Sequence, residues 1–191
     1  MPMTYPFTAL PDREVPRAVV PLLQHCIDTY ASETNKLASL WREFADDDLG
    51  YRPHPRASTV GDIMRHQLLS ERRFFGEFLG TPEPDASAIV PPVPSVSTYA
   101  ARAVDLARPR LVILAGHTEP WWLEQVPFFD VVRERIWIFW RRILHTAHHR
   151  TQLAVYLRVM GRPVPAMYGP TADVTWSGAD PTLTAEAAAR K

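Results

Sequence analysis

The longest stretch of the sequence without proline or glycine runs from Phe128 to Met160, and it limits the possible fold more than any other feature. Within this stretch apolar residues recur at spacings of three and four, the period of a helix with one buried face. Gly161 and Pro163 follow directly, and both are typical of residues that end a helix. The pattern therefore predicts one long helix over about 129–160.

Three further helices are predicted upstream of this stretch. Apolar residues of 16–44 fall mostly on one helical stripe, and a third helix covers about 98–115. Between them, Thr59 and Asp62 form a capping-box pattern that opens a helix ending at Gly80. Because almost no strand pattern is present, we predict an all-α fold, a four-helix bundle.

Proline-rich segments define the connections between these helices. Residues 81–97 form a connector long enough to cross one end of a bundle, and 117–127 are predicted to be a loop or a short extended piece. Residues 164–176 form a Pro- and Gly-containing arm that is expected to pack back on the bundle. The predicted organisation is an irregular lead-in at 1–14, a helical domain at 15–176 and a flexible tail at 177–191.

The charge balance and the lack of long apolar runs argue against nucleic acid or membrane as a partner. Lys plus Arg and Asp plus Glu are equal at 21 each, so no basic footprint is indicated. No apolar run approaches the roughly 20 residues that span a bilayer, and the N-terminus lacks the pattern of a signal peptide. The single cysteine, Cys26, excludes an internal disulfide framework and suits a reducing compartment. We therefore predict a cytoplasmic protein.

Three histidines are the predicted metal ligands. His145 and His149 are four residues apart in the longest helix, so both project from one face and can bind a single ion. His66 lies mid-helix among apolar residues, where a desolvated imidazole needs a partner. Because metal sites in bundles are built from inward side chains of different helices, the three form a set with open coordination positions. The alternative is a solvated polar face, or core histidines held by hydrogen bonds.

Residues around these histidines allow more than one interpretation. Gln152 and Tyr156 continue the face of the helical pair, and they are predicted either to orient ligands or to pack the helix. His148 is predicted to be a surface residue or to lie behind the ligands. Neither Asp62 nor Glu71 is placed as a general base; both are candidates only for contacts behind the ligands.

Two segments resemble a known family. The first reads H-x-x-x-H-R-T-Q-L from His145 and Y-L-R from Tyr156, followed by a Gly, Pro and Tyr-Gly arm over 161–170. The second reads Y-R-P-H-P at 51–55 and then S-T-V-G-D-I-M-R-H, ending at His66. Together they resemble the DinB-like superfamily of metalloenzymes over roughly 15–176. Thr151 stands where that family usually has Gly.

The resemblance implies an up-down-down-up four-helix bundle, often a homodimer, with a divalent metal held by His66, His145 and His149. Relatives of known activity include thiol-dependent transferases and isomerases that use mycothiol, bacillithiol or glutathione-type thiols. The motifs are specific for the superfamily and carry little information about any member's substrate.

Two classes of function follow from these patterns. The first is a metal-dependent enzyme in which Zn²⁺, or alternatively Ni²⁺ or Fe²⁺, activates a low-molecular-weight thiol for S-transfer or a water for hydrolysis. The second is a non-catalytic bundle that binds a small molecule or a protein partner, with the aromatic residues of the last helix available for contact. We predict the first class, acting as a homodimer on a small-molecule substrate.

Overall fold

A mostly helical chain with one small antiparallel sheet is seen in the computed structural model, which describes residues 8–168 and 172–173. Within this part the helices are α1 (Gln24–Trp41), α2 (Val60–Arg73), α3 (Ala86–Ile89), α4 (Val96–Ala115), α5 (Glu119–Leu123) and α6 (Arg135–Val159). The strands are β1 (Gln125–Phe128) and β2 (Val131–Glu134). Three 3₁₀ segments and one π-helical turn complete it: Asp12–Glu14, Pro21–Leu23, Asp46–Gly50 and Phe74–Phe78. The predicted tail at 177–191 and parts of the lead-in and arm lie outside the described residues.

Four long helices enclose the hydrophobic core. α1 packs against α4 and α6, and α2 packs against the same two helices. Trp41, Leu114, Phe139 and Leu157 are fully or almost fully buried between them. None of the helices in the described part of the chain is both long and apolar enough to cross a lipid bilayer.

The predicted start of α2 is confirmed. Thr59 Oγ1 accepts a hydrogen bond from the backbone N–H of Asp62 at 3.0 Å, and Asp62 Oδ2 accepts from the N–H of Thr59 at 3.1 Å. This capping box satisfies two N–H groups that have no partner inside the helix. At the other end the π-helical turn continues α2, and Gly80 follows shortly after this turn. The φ of 69° at Gly80 is the left-handed conformation that glycine adopts easily.

The first helix is shorter than the predicted 16–44. Residues 16–20 are not helical, and the N–H of Val19 instead donates to the carbonyl of Ala115 at 2.8 Å. A single 3₁₀ turn then leads into α1 at Gln24. The predicted helix was too long because the prediction rested on apolar periodicity alone. Periodicity cannot detect a backbone hydrogen bond to the end of a distant helix.

The last helix begins later than predicted, and the prediction of almost no strand is wrong at this point. Residues 131–134, expected to be helical, form β2. This strand pairs antiparallel with β1, most of which lies in the segment predicted to be a loop or a short extended piece. The two-residue turn between them has φ 54° at Phe129, which sets the hairpin. Val131 and Val132 fit a helical period and are equally suited to a strand.

The connector between α2 and α4 contains one short helix, α3, which packs against α2. Ser95 caps α4 by accepting from the N–H of Thr98 at 3.1 Å, and α4 then runs through Pro109 without interruption. The connector therefore carries the chain from the end of α2 to a new helix that packs on α1.

Buried charged groups tie the helices together. Arg150 of α6 donates to Glu33 of α1 at 2.5 Å, and Glu33 also pairs with Lys36 at 2.7 Å. Tyr168 of the arm donates to the same Glu33 carboxylate at 2.8 Å, so the described part of the arm packs against α1 and α6. Each of these charges has a partner, which offsets the cost of removing it from water.

Candidate metal centre

Three histidines from two helices meet at the contact between α2 and α6. His66 comes from α2, and His145 and His149 come from successive turns of α6. One ring nitrogen of each lies within 4.8 Å of the others, and the ring centroids are 4.6–5.3 Å apart. His66 is exposed and the other two are half-buried, so the group opens toward solvent on one side.

All three imidazoles are held in the neutral form. Burial, followed by the nearby guanidinium of Arg142, lowers the pKa of His145 to about 3. The same two causes lower the pKa of His66. Burial also lowers the pKa of His149, against the opposing effect of its hydrogen bond to Gln152. A neutral imidazole is the form that binds a metal ion.

A chain of hydrogen bonds fixes the tautomer of His149. The hydroxyl of Tyr156 donates to the carbonyl of Ser58 at 3.0 Å, so its oxygen accepts from Gln152 Nε2 at 3.2 Å. The amide oxygen of Gln152 then faces His149 Nδ1 at 3.0 Å, and this nitrogen must donate. The Nε2 lone pair of His149 is left available, which is the arrangement usual for a metal-ligating histidine.

His145 has the opposite arrangement. Arg142 Nη1 lies 3.0 Å from His145 Nδ1, and because a guanidinium only donates, Nδ1 is the acceptor. In a neutral ring the proton is then on Nε2. Ligation through Nε2 therefore requires the proton to move to Nδ1 and the bond from Arg142 to be given up. Arg142 Nη1 keeps an acceptor in Ser70 Oγ at 2.9 Å.

Arg142 is the site residue that sequence reasoning missed. It is 1% exposed, and its Nη2 donates to Gln67 Oε1 at 2.8 Å and lies 3.7 Å from Glu71 Oε2. Burial lowers the pKa of Arg142 to about 10, with Glu71 opposing, so the group stays charged at neutral pH. Its position three residues before His145 is the sequence signal that predicts a contact on the same helical face.

Of the two acidic residues considered from the sequence, Glu71 lies behind the histidines, 3.7 Å from the guanidinium that contacts His145, whereas Asp62 caps α2. Glu71 also accepts from the hydroxyl of Tyr30 at 2.6 Å and pairs with Arg110 at 3.3 Å. Neither lines the cavity beside the histidines. His148 is exposed with its ring centroid 5.0 Å from that of His149, which agrees with a surface position.

A cavity of about 530 Å³ opens beside the histidines, large enough for a small molecule. His66 and His145 are part of its wall. The remainder comes from the C-terminal part of α2, the first residue of the π-helical turn, the tip of the hairpin and Arg141 of α6. A small molecule bound in this cavity would therefore lie against two of the histidines that are the candidate metal ligands.

Comparison with known proteins identifies the family. The family model described as "DinB family" matches residues 20–176. A DinB-like protein of Bacillus cereus is 22% identical, with a TM-score of 0.63 over 80% of this chain and 99% of that chain. A DinB-like protein of Bacillus subtilis is 20% identical, with a TM-score of 0.57 over 72% of this chain and 93% of that chain. No curated protein matches the sequence.

The two structural likenesses, at these identities, establish a shared fold, and the family model covers most of the sequence. Both agree with the resemblance found in the motifs around His66 and His145. The chain belongs to the DinB family.

Proposed function

We propose that the protein is a metal-dependent enzyme that binds Zn²⁺ through His66, His145 and His149 and transfers a thiol sulfur to a small-molecule substrate. The observation that carries the proposal is the convergence of three neutral imidazoles, with ligand nitrogens within 4.8 Å of one another, at the wall of a cavity. Three protein ligands leave coordination positions open, as in catalytic rather than structural zinc sites. Ni²⁺ and Fe²⁺ are the alternative ions.

The donor set fits such an ion with one rearrangement. His149 already presents Nε2, held by the hydrogen bonds of Gln152 and Tyr156. His145 has to exchange its hydrogen bond from Arg142, and Ser70 remains as an acceptor for that guanidinium. The lowered pKa values of the three histidines reduce competition from protons.

Charge at the cavity favours S-transfer over hydrolysis. A bound divalent ion would supply Lewis acidity that removes the proton from a coordinated thiol or lowers the pKa of a coordinated water. Hydrolysis usually adds a carboxylate or histidine base that moves the proton of the water. The charged side chains that line this cavity are Arg73 and Arg141, which stabilise an anionic nucleophile and accept no proton. A thiol bound to the ion that His66, His145 and His149 would hold would lose its proton to solvent, so S-transfer would need no separate protein base.

Metal analysis is the experiment that tests the proposal. The protein, purified without a His tag or chelator, is compared with the double variant His145→Ala/His149→Ala and with His148→Ala, an exposed neighbour on the same helix. We expect about one Zn, Ni or Fe per chain in the wild type and in His148→Ala, and none in the folded double variant. Equal metal in all three proteins, or none in the wild type after reconstitution, would refute the site.

Turnover then separates the enzyme from a non-catalytic bundle. A screen of low-molecular-weight thiols with electrophiles, beside a screen of hydrolysable esters and amides, is run before and after chelation. We expect thiol transfer that is lost on chelation and in His145→Ala while circular dichroism shows the variant folded. Ester or amide hydrolysis with the same metal dependence would favour the hydrolase, and turnover indifferent to chelation would exclude both.

We also propose that the four long helices form the up-down-down-up bundle implied by the family resemblance. The connector at 81–95 supports it, because a chain that joins two parallel helices must return along the length of the bundle. The packing of α1 and of α2 against both α4 and α6 agrees with a four-membered bundle.

A homodimer is the assembly that we propose. Leu144, Val155 and Val159 of α6 are between 53% and 63% exposed, and apolar side chains exposed along one helix are typical of a contact surface. Light scattering is expected to give twice the mass of one chain, whereas the mass of a single chain would exclude the dimer.

A further inference from the structure

The cavity beside the histidines has a charge that nothing in its wall balances. Arg73 and Arg141 are its charged lining residues, and among the described residues no Asp or Glu lines it. The side chain of Arg141 is exposed and makes no hydrogen bond or ion pair with the residues at 8–168 and 172–173. Arg73 is paired with Glu77 at 2.8 Å, but both side chains are about half exposed, so solvent weakens that pair.

Behind the histidines, the buried guanidinium of Arg142 lies 3.7 Å from Glu71, which also pairs with Arg110, and Arg110 has a second partner in Glu83. These two buried arginines and two buried carboxylates balance one another in number. The excess of positive charge at the cavity therefore comes from the arginines that line it, Arg73 and Arg141. A concave surface with an excess of one charge concentrates ligands of the opposite charge.

Part of the cavity wall is aromatic. The ring centroids of Phe74 and Phe128 are 5.6 Å apart, and those of Phe128 and Phe129 are 4.7 Å apart. Phe74 and Phe128 are almost completely buried, whereas Phe129 is 59% exposed and so has a free surface for contact. The guanidinium of Arg73 lies 5.1 Å from the centre of the Phe129 ring, which places cation and apolar surface side by side.

The backbone of Phe129 provides a second observation at the same place. Its φ of 54° is rare for a residue with a large side chain and costs free energy that glycine would not. Strained residues concentrate at ligand-binding sites, where the surrounding structure holds them in position. Here the hairpin holds Phe129 in this strained conformation, and the exposed ring lies at the edge of the cavity.

We propose that this cavity binds a small organic carboxylate with an aromatic body, the carboxylate on Arg141 and the aromatic body against Phe74, Phe128 and Phe129. A guanidinium without a counterion binds a carboxylate through charge-assisted hydrogen bonds, and offset or edge-on ring contacts hold an aromatic group. The assignment deepens the proposed function, because it gives the substrate class of the same site. It does not depend on the metal, because Arg141 and the three rings contact the ligand directly.

Binding to metal-free protein tests this proposal. Calorimetric titrations of the chelator-treated full chain use 3-phenylpropionate and its uncharged analogue 3-phenylpropionamide as probes, in the millimolar range suited to fragments. We expect the acid to bind about tenfold more tightly than the amide, as one charge-assisted interaction provides. Arg141→Gln should reduce the affinity for the acid to that for the amide.

Two further variants complete the design. Arg102→Gln, which removes the same charge from α4, a helix that contributes no residue to the cavity, should leave both affinities unchanged. Phe129→Ala should weaken acid and amide alike, because it removes aromatic contact and no charge. Equal affinity for acid and amide, equal effects of the two arginine substitutions, or no binding of the acid would each overturn the proposal.

Repeating the titration with Zn²⁺ separates this proposal from the proposed function. Acid binding that requires Zn²⁺, is lost in His145→Ala and is indifferent to Arg141→Gln would show the carboxylate to be a metal ligand. That result overturns the carboxylate assignment and supports the metal site. Arg141-dependent binding in a protein that takes up no metal would support the carboxylate assignment and refute the metal site.

Discussion

Hydrogen bonds behind the two histidines of α6 run in opposite directions, and this difference determines what each ring can do. His149 donates to Gln152, so its other nitrogen is free for a metal. His145 accepts from Arg142, and its ring must change tautomer before it binds a metal through Nε2. Binding of a metal through Nε2 would therefore require a hydrogen-bond exchange at His145, while the other hydrogen bonds of Arg142 hold its buried guanidinium in place.

Acid should destabilise the metal-free protein through His145. The folded-state pKa of about 3 lies below the ordinary value of 6.5, so the unfolded chain binds more protons between these values. The stability contributed by keeping His145 neutral is present above pH 6.5 and is lost as the pH falls toward about 3. In urea titrations with a chelator, the wild type should therefore lose more stability between pH 7 and pH 4 than His145→Gln. Parallel losses in the two proteins would contradict the buried, neutral imidazole.

For single residues, the sequence predicts those contacts that depend only on positions close together in the chain. The spacing of His145 and His149 predicts a common face from the helical repeat alone, and the capping box of Thr59 is equally local. The contact of Arg142 with His145 joins neighbouring turns of the same helix, so it is local as well. Its significance could not be predicted, because it depends on the burial of the guanidinium against Gln67.

The hairpin of β1 and β2 is the element that the sequence did not reveal. Val131 and Val132 continue the apolar period of the following helix, and a short apolar run fits a strand and a helix equally. β1 contains Pro127, which is tolerated because β1 has one paired neighbour in the described sheet and proline is compatible with such an edge. Val131 and Val132 are in a strand because their segment pairs with β1, and apolar periodicity gives no information about such pairing.

Strain in this hairpin predicts an unusual order of stabilities at Phe129. Both Phe129→Gly and Phe129→Ala remove the ring, but only alanine keeps a Cβ at φ 54°. We expect the glycine variant to be more stable than the alanine variant by about 1 kcal/mol in urea unfolding, since a left-handed conformation costs roughly that for non-glycine residues.

The adjacent turn residue, Asp130, provides the matched control. Among the described residues other than glycine, Phe129 alone has positive φ, so Asp130→Gly should gain nothing over Asp130→Ala. A glycine variant at Phe129 that is no more stable than the alanine variant would show that the backbone there relaxes without strain.

Across the whole molecule, buried ion pairs connect helices that are distant in sequence. Amphipathic periodicity assigns charged residues to the solvent, whereas Glu33, Lys36 and Arg150 are 1–3% exposed. Glu33 and Lys36 pair within α1, three residues apart, which is a local spacing. The second partner of Glu33 is Arg150 of α6, and no local pattern predicts that pair. The four long helices were predictable from local signals, but the charges that fix how they meet were not.

Arg110 of α4 allows this role to be measured. Its guanidinium pairs with Glu83 of the connector at 2.6 Å and with Glu71 of α2 at 3.3 Å, and it contacts the hydroxyl of Tyr30 on α1. Arg110→Met should lower the free energy of unfolding by about 3–5 kcal/mol, because it leaves a buried carboxylate without its cation. Urea unfolding at pH 7 measures the loss.

A surface ion pair on the same helix is the control for the loss of unfolding free energy expected in Arg110→Met. Arg108 pairs with Glu14 while both side chains are 39–46% exposed, so Arg108→Met should cost about 1 kcal/mol or less. Adding Glu83→Gln to Arg110→Met should recover part of the loss, since it removes the unpaired charge. Equal costs at the two arginines, or no recovery in the double variant, would mean that packing rather than charge pairing joins α4 to its neighbours.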